Sequence, residues 1–327
     1  MSMVLVGTIE RRGFREYLAS WLELFRVFNI PIPLAGMLVG AATTPASLHD
    51  SWPALLLAAC LGCAAIQCFN DYEDRQVDRH NANWRPIPSG RLSPASVRAA
   101  GHGFILMWLA LAWWHDAAAA GIVVIVYLLT RWYSLAKQVS LGHHLLLPAA
   151  LGLMPIHGAL LAGGEVPALA GIAGLSIFLI DINMNIVGAF KDLWAGSVRE
   201  RVLPAVWGSR PAVAIALALA LLGIFAQVLA IERGLCGALP LLPLALGAVL
   251  TVQSRVRLLR WPSAAVGYAA LQSGRLTECL CFPALLAGLL PAAHALLIIG
   301  ALTIFALLGQ ALLPEARLRD GADAKIE

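Results

Sequence analysis

The chain has 327 residues, of which 60% are hydrophobic and only 13% charged, with mean hydropathy +0.78 and a formal net charge of +4. A soluble domain carries roughly 45–50% apolar and about 25% charged residues, so this composition excludes an ordinary cytosolic domain and describes an integral membrane protein. Nothing in it suggests a nucleic-acid partner.

Residues 1–21 form a basic, amphipathic N-terminal segment that is expected to lie on the membrane surface. Residues 22–313 hold the membrane domain, because runs of about 20 apolar residues satisfy their own backbone in lipid only as helices. Nine such runs are read, near 22–44, 53–70, 99–114, 118–135, 144–163, 166–190, 211–231, 235–253 and 283–312, the last as one long tilted helix or two. Residues 314–327 form a polar tail. The expected architecture is all-α and polytopic, with about nine helices around a central cavity.

Of the 23 Lys and Arg residues, 19 fall on alternate segments, the last of these carrying Arg255, Arg257, Arg260 and Arg275. Positively charged loops stay cytoplasmic, so the cavity is expected to open on that side. Cys60 and Cys63 have metal-ligand spacing in "CLGC", but within an apolar run they read as small packing residues.

The second run ends in "NDYEDRQVD", where Gln67, Asn70, Asp71, Asp74 and Asp78 share one helical face. Three carboxylates within about two turns at a membrane boundary need compensation. Oxygen-only ligands favour Mg²⁺ or Mn²⁺ over zinc, and Mg²⁺ completes its shell with water and substrate phosphate, so a phosphorylated ligand is expected. The bland alternative is a solvated helix end whose acids pair with Arg75, Arg79 and Arg85. In the sixth run Asp181, Asn185, Gly188 and Asp192 again share one face, with Lys191, Arg199 and Arg201 nearby to meet phosphate.

With these two stretches in view the chain resembles the UbiA superfamily of intramembrane prenyltransferases. Asn70, Asp71, Asp74 and Asp78 fill its NDxxDxxxD signature, and "RPIPSGRLS" from Arg85 to Ser93 resembles the branch containing geranylgeranylglyceryl phosphate and chlorophyll synthases. "FRVFN", with Arg26 and Asn29, and "YSLAKQVSLG" from Tyr133 are similar too. The second family motif, DxxxD, is altered: Asp192 matches its first Asp and Gly196 stands at its second. Asp181, Glu200 or the pair Lys191 and Arg199 are the candidate replacements for that lost carboxylate.

The resemblance implies transfer of a prenyl group from a prenyl diphosphate to a small or lipid acceptor. It puts Mg²⁺ on Asn70, Asp71, Asp74, Asp78 and Asp192, and sets Arg85, Lys137, Lys191 and Arg199 to steady the departing diphosphate. Tyr133, Trp132 and Phe69 are candidate π faces for the allylic cation; Asn29, Asn185 and Asp181 are candidate contacts to substrate. His143, His144 and His157 are left unassigned. Two other readings stay open, a terpene cyclase of the same fold and a cation-using transporter or lipid-binding protein.

Overall fold

The computed structural model describes residues 13–45, 48–136, 141–193 and 202–312. Helix α1 (Phe14–Phe25) stops at Arg26, a 3-10 turn covers Val27–Asn29, and α2 (Pro31–Ala42) leaves at 47° to the segment before it. Then come α3 (Leu48–Asn81), α4 (Pro94–His115), α5 (Ala117–Ala136), α6 (His143–Gly152), α7 (Met154–Gly163) and α8 (Ala168–Leu193). The chain continues through a short α9 (Leu203–Trp207), α10 (Ser209–Glu232), α11 (Leu241–Arg260), α12 (Ala264–Cys281), the turn α13 (Leu286–Leu289) and α14 (Ala292–Leu312).

Local chemistry sets several of these boundaries. Ser93 caps α4, its hydroxyl accepting from the Ser96 amide at 3.0 Å with Pro94 in the first turn. Asp116 alone separates α4 from α5, and its carboxylate accepts from the Ala118 and Ala119 amides at 2.7 and 3.0 Å. Pro155, in the first turn of α7, interrupts the backbone ladder between α6 and α7, which together make one 21-residue span, His143–Gly163.

Successive helices pack in a ring from α2 through α3, α4, α5, α6, α8, α10, α11 and α12 to α14, which returns against the 3-10 turn and α2. Inside this ring α2 crosses α7 at close range. A Cβ on Gly40 would collide with the Pro155 carbonyl, and one on Gly158 with the Met37 backbone. Small residues let membrane helices approach in this way, gaining van der Waals contact that lipid cannot replace. Gly158→Leu is therefore expected to abolish recovery of monodisperse protein from detergent extracts. Gly171→Leu, at a helix position with open space around it, leaves recovery unchanged by size-exclusion chromatography.

Among the described residues seven helices are long and apolar enough to cross a membrane, or eight if the bent α1–α2 pair counts as one span. The expected nine is not reached on that measure, for one physical reason. The run expected at 118–135 has only a shorter apolar stretch, Ala117–Tyr133. Apart from the nine runs there is a further helix, α12, whose charged residues make it read as a connection in sequence. Its 18 residues are about 27 Å long, enough to cross most of a bilayer core. They carry Ser273, Arg275, Thr277 and Glu278, the last two buried, and these polar residues mask the helix in a hydropathy scan.

Arg255 needs a related correction: it is not a loop cation but a wholly buried residue of α11. The run expected at 283–312 is the α13 turn followed by one helix, α14. Gly309, near the end of α14, packs on Phe28, so this helix ends beside the 3-10 turn.

Candidate active site

Helix α3 is 34 residues long, about 51 Å, against a hydrocarbon core of about 30 Å. Its C-terminal turns, from Asp71 onward, therefore reach beyond the apolar layer. This length puts three carboxylates at the end of a greasy helix without sinking them in lipid. Asp71 is only 3% exposed and Asp78 is also buried, whereas Asp74 and Asn70 are half-buried.

Two arginines from different parts of the chain meet this stripe. Arg26 donates through Nη2 to Asp71 Oδ1 at 2.6 Å, and Arg85 through Nη1 to Asp78 Oδ2 at 2.8 Å. Arg26 gets there by an unusual backbone: it closes α1 with φ 46° and ψ 56°, a left-handed conformation generally left to glycine. For a non-glycine residue this costs on the order of 1–2 kcal/mol. The charge-assisted bond to a buried carboxylate offsets that cost.

Arg85 is placed by the loop 82–93, which folds back over the helix ends. Ile87 and Leu92 from this loop pack with Leu24, Cys68 and Val97. Arg91 grips Glu23 with both terminal nitrogens, one at 2.8 Å, and donates to the Trp84 carbonyl at 2.6 Å. Glu23 and Arg26 thus tie α1 to both the loop and α3. One turn below Asp71, the buried amide oxygen of Gln67 has no hydrogen-bond partner. It is an acceptor on the acidic face waiting for a donor or a cation.

The second polar stripe is on α8. Asn185 donates from Nδ2 to Asp181 Oδ2 at 3.0 Å. The Asp181 side chain also meets the Glu278 carboxyl of α12 within hydrogen-bond range. Next to them, Arg255 donates to Asn183 Oδ1 and to the Ala270 carbonyl, each at 2.9 Å. Arg275 lies over the Phe28 ring at 5.1 Å and acts electrostatically on Glu278. Glu278 and Arg255 are site-side residues that the sequence reading missed. The available signal was an acid and a base three residues apart, Arg275 and Glu278, inside an otherwise apolar 18-residue stretch.

Other expected residues divide in several ways. Asn29 is half-buried on the 3-10 turn, and Tyr133 is half-buried with its ring 6.1 Å from that of His143. Trp132 is 67% exposed on the outside of α5, so it faces lipid rather than a reacting cation. Phe69 is buried, but its ring packs against His102 and Tyr127, on the α4–α5 side of α3. Two of the three histidines are structural: His157 accepts from Trp108 Nε1 at 3.0 Å and His144 from the Leu203 amide at 3.1 Å.

Lys191 and Asp192 belong to the last turn of α8, with side chains outside the described set. Lys137, Gly196, Arg199, Glu200 and Arg201 lie outside the described residues.

Among the described residues no three His, Cys, Asp or Glu side chains converge into a closed metal cage. A stripe of separate carboxylates with an orphaned amide oxygen suits a hard cation that takes one or two protein ligands and fills the rest of its shell with water and phosphate.

The pattern of the UbiA prenyltransferase family matches residues 30–273, three quarters of the chain. The chain belongs to this family. Digeranylgeranylglyceryl phosphate synthase of Thermococcus kodakarensis is 26% identical over 233 residues, covering 68% of this chain and 82% of that protein. The solved structure of a digeranylgeranylglyceryl phosphate synthase in membranes superposes with a TM-score of 0.67 at 21% identity, over 84% of this chain and 99% of that one. A UbiA homologue from Archaeoglobus fulgidus, bound to GPP and Mg²⁺, superposes at 0.59 with 17% identity, over 81% and 99%. This UbiA protein is thus a multi-pass membrane prenyltransferase, and its acidic α3 stripe stands inside the matched region. The family match stops short of α14.

Proposed function

We propose that this enzyme ionises an allylic prenyl diphosphate at the end of α3 and passes the prenyl group to the hydroxyl of a lipid carrying glyceryl phosphate. The observation that carries this reading is the buried stripe of Asp71, Asp74 and Asp78, met by arginines from two other segments. The acceptor class rests on the likeness to digeranylgeranylglyceryl phosphate synthases.

In this reading Asp71, Asp74 and Asp78, with Asn70 beside them, would hold Mg²⁺, together with Asp192 of α8. Bound there, the ion supplies Lewis acidity that neutralises charge on the leaving diphosphate, an effect on the order of several kcal/mol. Arg26 and Arg85 orient the carboxylates, and Arg85, Lys137, Lys191 and Arg199 grip the phosphate oxygens. The C–O bond to the diphosphate breaks, the acceptor oxygen attacks the allylic carbon, and the hydroxyl proton passes to the released diphosphate.

Water must stay out while the cation exists, and the apolar walls of the helix ring serve that need. Asn29, Tyr133, Asp181 and Asn185 line the acceptor's approach. In this reading the acidic end faces the cytoplasm, which the one-sided distribution of basic residues supports.

The test is product analysis by mass spectrometry after incubating purified protein with Mg²⁺, geranylgeranyl diphosphate and geranylgeranylglyceryl phosphate. The expected product is the second ether, formed in step with diphosphate. A cyclic hydrocarbon or alcohol formed without the acceptor would replace this reading with a cyclase.

A further inference from the structure

A second polar cavity lies away from the acidic stripe. It is an open cleft of about 630 Å³ at the matching ends of α3, α4 and α5. Its polar lining is Tyr72, Glu73, Arg75, Arg98, His102 and Arg131. Successive α-helical residues turn by about 100°, so Tyr72 and Glu73 leave α3 on a different side from Asp71 and Asp78.

The charges in this cleft do not balance. Arg131 pairs with Glu73 at 2.7 Å. Arg75 and Arg98 have no carboxylate partner among the described residues. Both instead gather on Tyr72, with their guanidinium carbons 4.2 and 5.4 Å from its ring centre. Arg98 also donates to the Tyr72 hydroxyl at 3.3 Å, and Arg75 to the Tyr72 carbonyl at 2.6 Å. Three guanidiniums against one carboxylate leave a net charge of about two to be met from outside. Scattered surface arginines are solvated singly; Arg75 and Arg98 are held together on one ring, where an anion between them would relieve their mutual repulsion.

The surface beside the cleft says what the anion is attached to. One and two turns along α4 from Arg98 come His102 and then Leu106 and Met107, the last two 64% and 56% exposed. On α5, Leu128 and Trp132 are exposed on either side of Arg131. The cleft therefore opens directly onto an apolar, lipid-facing wall, with a tryptophan at the depth where such rings mark the membrane interface.

We propose that this cleft binds the phosphate ester of an anionic bilayer lipid, its headgroup between Arg75 and Arg98 and its acyl chains along the outer faces of α4 and α5. Arginine is suited to phosphate by its paired donors, and basic pockets between membrane helices recognise lipid headgroups in this way. The site is separate from the reaction chemistry, so its test does not depend on the acceptor assigned above.

The experiment is native mass spectrometry of the full-length protein, delipidated in detergent and titrated with phosphatidylglycerol, phosphatidylcholine or inorganic phosphate. One phosphatidylglycerol per chain is expected to bind about tenfold more tightly than phosphatidylcholine. Arg75→Gln combined with Arg98→Gln is expected to weaken it by a further factor of about ten. Ala99→Glu, which removes no contact and places a carboxylate at the exposed cleft edge, should do the same. A binding mass increment from inorganic phosphate that these variants lose, with no preference between the two lipids, would assign the site to a free anion and overturn the lipid. Equal binding of both lipids, unchanged in all variants, would overturn the site itself.

Discussion

Asp74→Asn is expected to slow diphosphate release from a prenyl diphosphate about a thousandfold, roughly 4 kcal/mol in the barrier, and to leave the melting temperature in detergent unchanged. The reason is positional. Asp71 and Asp78 are buried and each is bound to an arginine, so removing either disturbs packing as well as charge. Asp74 lies between them on the same face and is half-buried, and asparagine keeps its shape while removing its charge. Steady-state assays of diphosphate over a range of Mg²⁺ concentrations check this. A loss of less than tenfold at saturating Mg²⁺ would mean that the α3 stripe is not where the leaving group is held.

The second large effect is on stability. Arg255→Met is expected to cost about 3–5 kcal/mol, because it strips a buried cation from a cluster that holds Asp181 and Glu278. Removing one partner of a buried pair is costly because of the charge it leaves behind. Adding Glu278→Met to the same chain is therefore expected to recover part of the loss, with a coupling of about 1–3 kcal/mol between the two sites. Thermal unfolding of the two single variants and the double variant in detergent measures the coupling. Additive losses would show that Arg255 acts only through its bonds to Asn183 and Ala270.

The two most informative regions differ in how much their sequences reveal. The acidic stripe is legible because its spacing is helical, its ligand types are all oxygen, and it follows directly on an apolar run. Arg26 was legible only as a family match; its route to Asp71 depends on a left-handed residue, which no periodicity announces. α12 was concealed for the opposite reason. Hydropathy averages over all faces of a helix, so a helix with one apolar side and one charged side packed inward looks like a loop.

Phe69 and Trp132 have the right chemistry for a cation-facing wall but the wrong direction. Phe69 is two residues before Asp71, about 200° round the helix, and that arithmetic already turned its ring toward α4 and α5. The same geometry explains the basic cleft: Tyr72 and Glu73 belong to the flank of α3 that the metal-binding reading left unused.

Metal-dependent ionisation of an allylic diphosphate is the step on which every role given to the α3 stripe depends. The most direct measurement is diphosphate release by the purified protein from geranylgeranyl diphosphate, with Mg²⁺ and again with excess EDTA. Release that requires Mg²⁺ and returns when it is restored is the predicted result. No release with Mg²⁺ from donors of any chain length, or release that EDTA leaves untouched, would contradict it.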